Sequence, residues 1–150
     1  MRKENIDNFD LLSPKFEREN IQLGLSKINK ALGDLDDPCK NIPAIQIIGT
    51  NGKGSITAFI ENILCAEKIN IGVTTSPHLL DICERIRVNK EKISKEEFER
   101  LFKKIKNNLL THKLSPFEQI ICCALYFFDL KKVDLLILEA GLGGRLDATT

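Results

Sequence analysis

The sequence predicts an α/β fold with a mostly parallel sheet that is flanked by helices. Two observations support this fold. Apolar, strand-like runs at residues 44–48, 69–75 and 133–138 are nearly continuous, as is typical of parallel strands buried on both faces. Segments with helical periodicity separate these runs, and a repeated strand–helix order favours a parallel sheet. The first run is joined to its helix by a glycine-rich loop.

The helices are predicted from their start and stop signals. Ser13 and Pro14 favour a first helix that continues to Gly33, because serine caps helices and proline suits the first helical position. A second helix covers residues 56–67. Ser94 with Glu97, and Ser115 with Glu118, match the capping-box pattern and begin helices over residues 94–110 and 116–129.

The connection between the first two strands predicts a βαβ unit with parallel strands and a right-handed crossover. Residues 76–90 show no clean periodicity. A long irregular segment that leaves the carboxyl end of a parallel strand is usually functional, so we expect part of a ligand site here.

The composition restricts the classes of function. The 150 residues are 43% hydrophobic and 29% charged with net charge +1, which is ordinary for a globular domain and gives no electrostatic signal for nucleic-acid binding. Apolar runs are too short to cross a bilayer, and the polar N-terminus lacks a secretion signal, so we expect a cytoplasmic protein. Five cysteines without a Cys-x-x-Cys pair predict neither disulfides nor a zinc site.

Residues 49–55 (GTNGKGS) have the features of a P-loop-type phosphate cradle. Glycines let backbone N–H groups approach an anion, the helix N-terminus adds partial positive charge, and the lysine adds a full charge. The spacing is a variant of the usual pattern, and an ordinary glycine turn is the alternative. The predicted ATP-binding residues are Gly49, Thr50, Asn51, Gly52, Lys53, Gly54 and Ser55.

The carboxyl ends of the three strands should converge on one cleft. Glu139 follows the third strand, where a nucleotide-hydrolysing enzyme holds Mg²⁺, and Ser76 follows the second and offers a hydroxyl to the same ion. Lys53 and Glu139 are therefore the predicted catalytic pair, and Ser76 and Glu139 the predicted metal ligands. A solvated carboxylate and an ordinary turn serine remain the alternatives.

Other polar residues have two interpretations. Glu118 is fully explained by its capping box, and His78 alone is more often structural than catalytic. Arg85 and Arg87 either face solvent or bind a carboxylate substrate, since guanidinium suits bidentate recognition. Asp147 either touches a ligand or pairs with Arg145.

Five strings taken together resemble the folylpolyglutamate synthase/dihydrofolate synthase family within the broader Mur ligase group. They are residues 48–55 (IGTNGKGS), 75–79 (TSPHL), 84–89 (ERIRVN), 117–118 (FE) and 138–149 (LEAGLGGRLDAT). The resemblance implies an ATP- and Mg²⁺-dependent ligase that joins L-glutamate to a folate, or to dihydropteroate, through an acyl phosphate. We also expect a monomer whose partners are small molecules, with no nucleic acid and no membrane.

The resemblance further implies a substrate site and a domain organisation. Gln22 and Asn20 depart from the acidic residue and threonine of bifunctional members, which weakens the case for dihydrofolate synthesis. Residues 1–150 would be part of an N-terminal ATP-binding domain, with the glutamate-ligase domain beyond Thr150, so we expect no activity from this chain alone. The residues implied to bind substrate are Asn20, Ile21, Gln22, His78, Arg85, Ser115, Leu146, Asp147 and Ala148.

Two alternatives remain open at this point. One is another Mur-type ligase with a muramyl-peptide substrate, although the ERIR string counts against it. The other is a non-catalytic nucleotide-binding module.

Overall fold

The structure, a computed structural model, describes residues 24–141, 144–145 and 147–150. Short loops connect helices and strands in the predicted order. No helix in these residues is both long and apolar enough to cross a bilayer. The elements are α1 (Ser26–Gly33), β1 (Ala44–Ile47), α2 (Lys53–Ala66), β2 (Ile71–Thr74), a 3₁₀ helix (Ile82–Arg85), β3 (Ile86–Val88), β4 (Glu91–Lys92), α3 (Lys95–Thr111), α4 (Pro116–Lys131) and β5 (Leu135–Glu139).

In the described residues, the sheet has five strands in the order β1-β5-β2-β3-β4. The strand β5, which follows the other four in the chain, lies between β1 and β2 and is parallel to both. β3 and β4 add an antiparallel extension beyond β2. The predicted mostly parallel α/β fold is therefore confirmed, and the insertion of β5 brings the carboxyl ends of β1, β5 and β2 side by side.

The two faces of the sheet are covered unequally. On the α4 face, α1, α3 and α4 bury a large apolar core together with Leu136 and Leu138 of β5. On the α2 face, Ile137 of β5 packs with Ile47, Ile71 and Val73 in a smaller cluster, and of the helices that the structure describes only α2 contributes to it. Alternate residues of a strand point to opposite faces, so Glu139 lies on the α2 face.

A close helix–strand contact explains one glycine. A Cβ atom on Gly72 of β2 would lie 2.6 Å from Cγ of Phe128, so any side chain there would collide with the ring. Phe128 is fully buried, and its ring packs directly on the backbone of β2. This contact fixes the distance between α4 and the sheet.

The prediction of one continuous helix from Ser13 to Gly33 is wrong. The described part begins at Ser26, and Gly24 has a φ of +140°, which no right-handed helix contains. The predicted start at Ser13 lies outside the described residues. The predicted end at Gly33 is confirmed.

A β-hairpin lies where residues 76–90 were predicted to be irregular. β3 and β4 are joined by Asn89 and Lys90, whose φ angles are +51° and +74°. Two central residues with positive φ are characteristic of the type I′ turn, which matches the twist of a two-residue hairpin. The prediction missed this element because both strands are short and carry charged residues.

Capping differs between the two long helices. At α4, both hydrogen bonds of the capping box between Ser115 and Glu118 form, which confirms the predicted start. At α3, the Ser94 hydroxyl accepts from the Glu97 backbone N–H, as predicted. The Glu97 carboxylate, however, lies 2.9 Å from Nζ of Lys131 on α4, so this residue also ties the two helices together.

Candidate nucleotide and metal site

The glycine-rich loop leads directly into the N-terminus of α2. Gly52 is the N-cap with a φ of +77°, a left-handed conformation that suits glycine. Gly52, Gly54 and Ser55 are exposed, and a glycine N-cap has no side chain with which to bond the first-turn N–H groups. An exposed helix N-terminus with open N–H groups is suited to an anion.

Lys53 and Glu139 meet above the ends of β1 and β5. Lys53 Nζ donates to the Gly49 carbonyl at 3.0 Å and lies 4.0 Å from Glu139 Oε1. Glu139 pairs with Ile47 in the sheet register, which is where the phosphate loop begins to leave β1. The predicted neighbourhood of ammonium and carboxylate is thus present in the structure.

Glu139 is a buried carboxylate. Burial raises its pKa above the ordinary glutamate value, while the charge of Lys53, a hydrogen bond from the Ser76 backbone N–H and the charge of Arg87 oppose this rise. Because the pKa is raised overall, a nearby cation would stabilise the charged form of this carboxylate. The contact with the Ser76 backbone also shows that Ser76 lies next to Glu139, so the two predicted metal ligands lie together.

The segment after β2 is organised around Glu84. Its carboxylate accepts hydrogen bonds from the backbone N–H groups of Leu79, Leu80 and Asp81, and these bonds lower the pKa of Glu84. The side chains of Leu79 and Leu80 remain about nine-tenths exposed, at 89% and 93%. The loop is therefore held in shape by one acidic residue while it presents two apolar side chains to solvent.

His78 and Arg85 form a pair beside this loop. Arg85 Nε donates to His78 Nδ1 at 2.8 Å, and the Arg85 side chain is almost completely buried. Because Arg85 is buried, any influence that it has on a substrate passes at least partly through the orientation of the His78 ring.

Arg87 contacts a residue that the sequence analysis did not identify. Its guanidinium forms a two-pronged ion pair with Glu61 of α2, with Nη2–Oε2 at 2.9 Å and Nε–Oε1 at 3.4 Å. Glu61 is 5% exposed. In the sequence, the only indication was that Glu61 lies eight residues after Lys53 and therefore on the same side of the helix. This indication is too weak to predict a partner in β3.

The segment after β5 lies against β1. The Asp147 carboxylate accepts from the backbone N–H and hydroxyl of Thr149, and Gln46 Nε2 donates to the Thr149 hydroxyl at 2.9 Å. Ala148 packs against the main core. Asp147 is buried, so it shapes this segment in the structure.

Ser115 lies at the start of α4, which is close to the end of β5. A Cβ atom on Gly141 would lie 3.0 Å from Phe117 Cζ, so the first turn of α4 borders the loop that follows Glu139. The predicted substrate residues Asn20, Ile21, Gln22 and Leu146 lie outside the described residues.

The donors at this site suit a nucleotide-bound divalent ion more than an ion held by protein alone. Within the residues that the structure describes, no group of three or more His, Cys, Asp or Glu side chains could hold a metal. Mg²⁺ in nucleotide sites is usually held by one or two protein oxygens together with phosphates and water. Glu139 and Ser76 provide such a set.

Comparisons with known proteins place this arrangement in a family. No protein-family model matches the chain. It is 40% identical over 136 residues to dihydrofolate synthase/folylpolyglutamate synthase of Bacillus subtilis, covering 86% of this chain and 32% of that protein. The folylpolyglutamate synthase structure from Thermotoga maritima superposes with a TM-score of 0.82 at 38% identity, covering 90% of this chain and 34% of that one.

A third relative was solved with ligands. It is a bifunctional folylpolyglutamate synthase/dihydrofolate synthase with Mn, AMPPNP and L-glutamate bound, with a TM-score of 0.81 and 38% identity, covering 87% of this chain and 32% of that one. The chain thus spans between about a sixth and a third of the length of the relatives it matches. On these similarities of sequence and structure, the chain belongs to the folylpolyglutamate synthase/dihydrofolate synthase family.

Proposed function

We propose that this chain carries the ATP-binding part of an ATP-dependent C–N ligase that adds L-glutamate to a folate. The observation that carries the proposal is the meeting of Lys53 and Glu139, 4.0 Å apart, beside an open helix N-terminus. The relatives support the same chemistry, because their names describe glutamate addition and one of them binds a nucleotide analogue, Mn and L-glutamate.

The phosphate loop would hold the triphosphate. The N–H groups at the start of α2 face the anion, and the Lys53 ammonium, now bonded to the Gly49 carbonyl, can turn to a phosphate oxygen without leaving the loop. Lysine acts here as a mobile point charge, which suits a group that gains charge during transfer. The proposed nucleotide residues are therefore those of the loop 49–55.

Glu139 and Ser76 would hold the divalent ion. The ion supplies neutralisation of phosphate charge and alignment of the transferred phosphoryl group. The Glu139 carboxylate, whose pKa is raised mainly by burial, would lose that desolvation cost when a cation arrives. The Ser76 backbone N–H holds the same carboxylate, so the serine side chain starts from a fixed position near it.

The reaction would consist of two steps. A carboxylate oxygen of the folate attacks the γ-phosphorus of ATP, which forms an acyl phosphate and releases ADP. The amino nitrogen of glutamate then attacks the acyl carbon and loses a proton, which forms the amide and releases phosphate. Enzymes accelerate such steps mainly through positioning and charge stabilisation, and Lys53 is the residue of this chain suited to the latter.

The acceptor would bind beside the loop that follows β2. His78, oriented by Arg85, and the exposed side chains of Leu79 and Leu80 offer one polar and two apolar contacts to a flat heterocycle. Ser115, Asp147 and Ala148 border the same end of the sheet and stay in the proposal with Asn20, Ile21, Gln22 and Leu146.

The monomeric state and the cytoplasmic location also stay predictions, which sedimentation and cell fractionation would test.

A titration of the chain with ATP, with and without Mg²⁺, tests the nucleotide site. We expect Lys53→Ala to weaken binding by at least about tenfold, since removing one charged contact to phosphate costs on the order of 1.5–3 kcal/mol. Glu139→Gln should leave metal-free binding intact and remove the gain that Mg²⁺ gives to the wild type.

The matched control is Lys92→Ala. Lys92 is exposed, and among the described residues its ion pair is the 3.9 Å contact with Asp81, so its loss should not affect binding. Equal ATP affinity in wild type, Lys53→Ala and Lys92→Ala would contradict the proposal. In a protein that contains the full ligase, ADP release should require both a folate and glutamate, and release driven by a muramyl nucleotide would instead favour the cell-wall alternative.

A further inference from the structure

Arg87 makes hydrogen bonds to three different elements. Besides the ion pair with Glu61 of α2, its Nη1 donates to the Thr75 hydroxyl and to the Glu84 carbonyl, both at 3.1 Å. Thr75 directly follows β2, and Glu84 lies in the 3₁₀ helix. A single guanidinium therefore joins the helix after the phosphate loop to the segment that carries Ser76.

The fork geometry is essential to this arrangement. Arginine presents donors in a rigid plane, whereas lysine has a single ammonium that cannot span a carboxylate, a hydroxyl and a carbonyl in the same way. All three guanidinium nitrogens of Arg87 are used in the structure. Glu61 accepts with both carboxylate oxygens, so it fixes the plane of the fork.

The contact continues to the proposed metal ligands. Thr75 is held from two sides, because its backbone N–H donates to the Arg85 carbonyl and its hydroxyl accepts from Arg87. The backbone N–H of the next residue, Ser76, faces the Glu139 carboxylate and opposes the rise in its pKa. The path from α2 to Glu139 thus consists of Glu61, Arg87, Thr75 and Ser76 in direct succession.

We propose that Arg87, oriented by Glu61, is a positioning residue that fixes Ser76 against Glu139 and so sets the geometry of the divalent-ion site. The inference rests on the proposed function, because it concerns the ion bound with the nucleotide. Neither residue needs to touch substrate. Partners that orient metal ligands typically change metal affinity by roughly 10- to 100-fold when they are removed.

The first experiment measures the affinity of the nucleotide-bound chain for Mn²⁺ by electron paramagnetic resonance. We expect Arg87→Lys and Glu61→Gln each to weaken Mn²⁺ by about tenfold or more. Affinity for ATP without metal should stay within about twofold, because the phosphate loop is not altered. A purely structural pair would instead lower both affinities together or neither.

Lys131→Ala is the matched control. It removes an ion pair of the same length, 2.9 Å between Lys131 and Glu97, which joins α4 to α3 on the opposite face of the sheet. This variant should lose some stability but keep wild-type Mn²⁺ affinity. If Arg87→Lys and Glu61→Gln behave like Lys131→Ala, the inference is overturned.

A second readout does not depend on a bound ion. Hydrogen exchange of the Ser76 backbone N–H should be faster in Arg87→Lys than in wild type, while N–H groups in α3 and α4 keep their protection. Unchanged exchange at Ser76 would overturn the inference even where Mn²⁺ binding is altered. Wild-type protein that shows no Mn²⁺-dependent nucleotide binding would overturn the proposed function together with it, whereas normal wild-type binding with unaltered variants would overturn this inference alone.

Discussion

The two faces of the sheet differ in what they bury. The α4 face carries three helices and a continuous apolar core, whereas in the described residues the α2 face is covered by one helix and a small cluster. Lys53, Glu61 and Arg87 lie on the α2 side, where Lys53 approaches Glu139 and Arg87 forms its ion pair with Glu61. The large apolar core and the groups proposed to bind phosphate and metal therefore lie on opposite faces.

This division has a physical reason. A large apolar core needs complete exclusion of water, while a phosphate and metal site needs an open helix end and charged groups that reach solvent. β5 contributes to both, because Leu136 and Leu138 point to the core and Glu139 lies on the site face. One strand with alternating side chains thus connects the two roles.

The same substitution on the two faces should have very different effects. Phe128 is fully buried on the α4 face, and Phe59 on the outer side of α2 is 66% exposed. We expect Phe128→Ala to lower the free energy of unfolding by about 3–5 kcal/mol through loss of burial and a residual cavity. Phe59→Ala should change it by less than about 0.5 kcal/mol. Urea unfolding measures both, and similar losses would contradict the division between faces.

Alkaline pH should weaken the α4 face through its thiols. Burial raises the pKa of Cys122 to about 12, against 9.0 for a free thiol. Above pH 9.0 the unfolded chain loses this proton while the folded chain keeps it, so stability is full below 9.0 and falls as pH rises. Each such thiol lowers the free energy of unfolding by about 1.4 kcal/mol for each pH unit in this range.

Unfolding free energies at pH 8, 9 and 10 test this expectation. Cys122→Ala should reduce the slope relative to wild type. An identical slope in the two proteins would show that Cys122 is not responsible.

The smallest effect on stability is expected from charged substitutions on the outer side of α2. Ile56, Phe59 and Ile63 form an exposed apolar stripe there, at helical spacing. Ile63→Lys should change the free energy of unfolding by less than about 0.5 kcal/mol. It should clearly reduce binding of a hydrophobic fluorescent dye, because the stripe is interrupted. A large loss of stability would show that the α2 face is packed more tightly than its exposure indicates.

The sequence alone was sufficient to predict the site residues that lie at the ends of parallel strands. Lys53 and Glu139 were predicted to meet because both follow apolar runs that form parallel strands, and their 4.0 Å separation confirms this. The caps of α3 and α4 were also readable, because serine and glutamate at fixed spacing act locally. These predictions needed only periodicity and local chemistry.

Contacts between distant residues could not be predicted in this way. Glu61 and Arg87 are 26 residues apart and belong to a helix and to a strand that the sequence analysis did not identify. Asn89 was a usable signal for the hairpin turn, since asparagine tolerates positive φ, but Lys90 in place of glycine concealed it. The position of β5 between β1 and β2 likewise depends on the whole sheet and not on any local pattern.

The central position of β5 has a consequence for the order of folding. β1 and β2 have no direct pairing with each other, and each joins the parallel part of the sheet only through β5, which follows both of them in the chain. Pairings between residues that are far apart in the chain form slowly, because closing the loop costs conformational entropy before the strand contacts that stabilise it have formed. A ribosome-bound chain that ends before Leu135 should therefore hold the phosphate loop without its opposing carboxylate, so the gain in ATP affinity that Mg²⁺ gives should appear only after β5 has been synthesised.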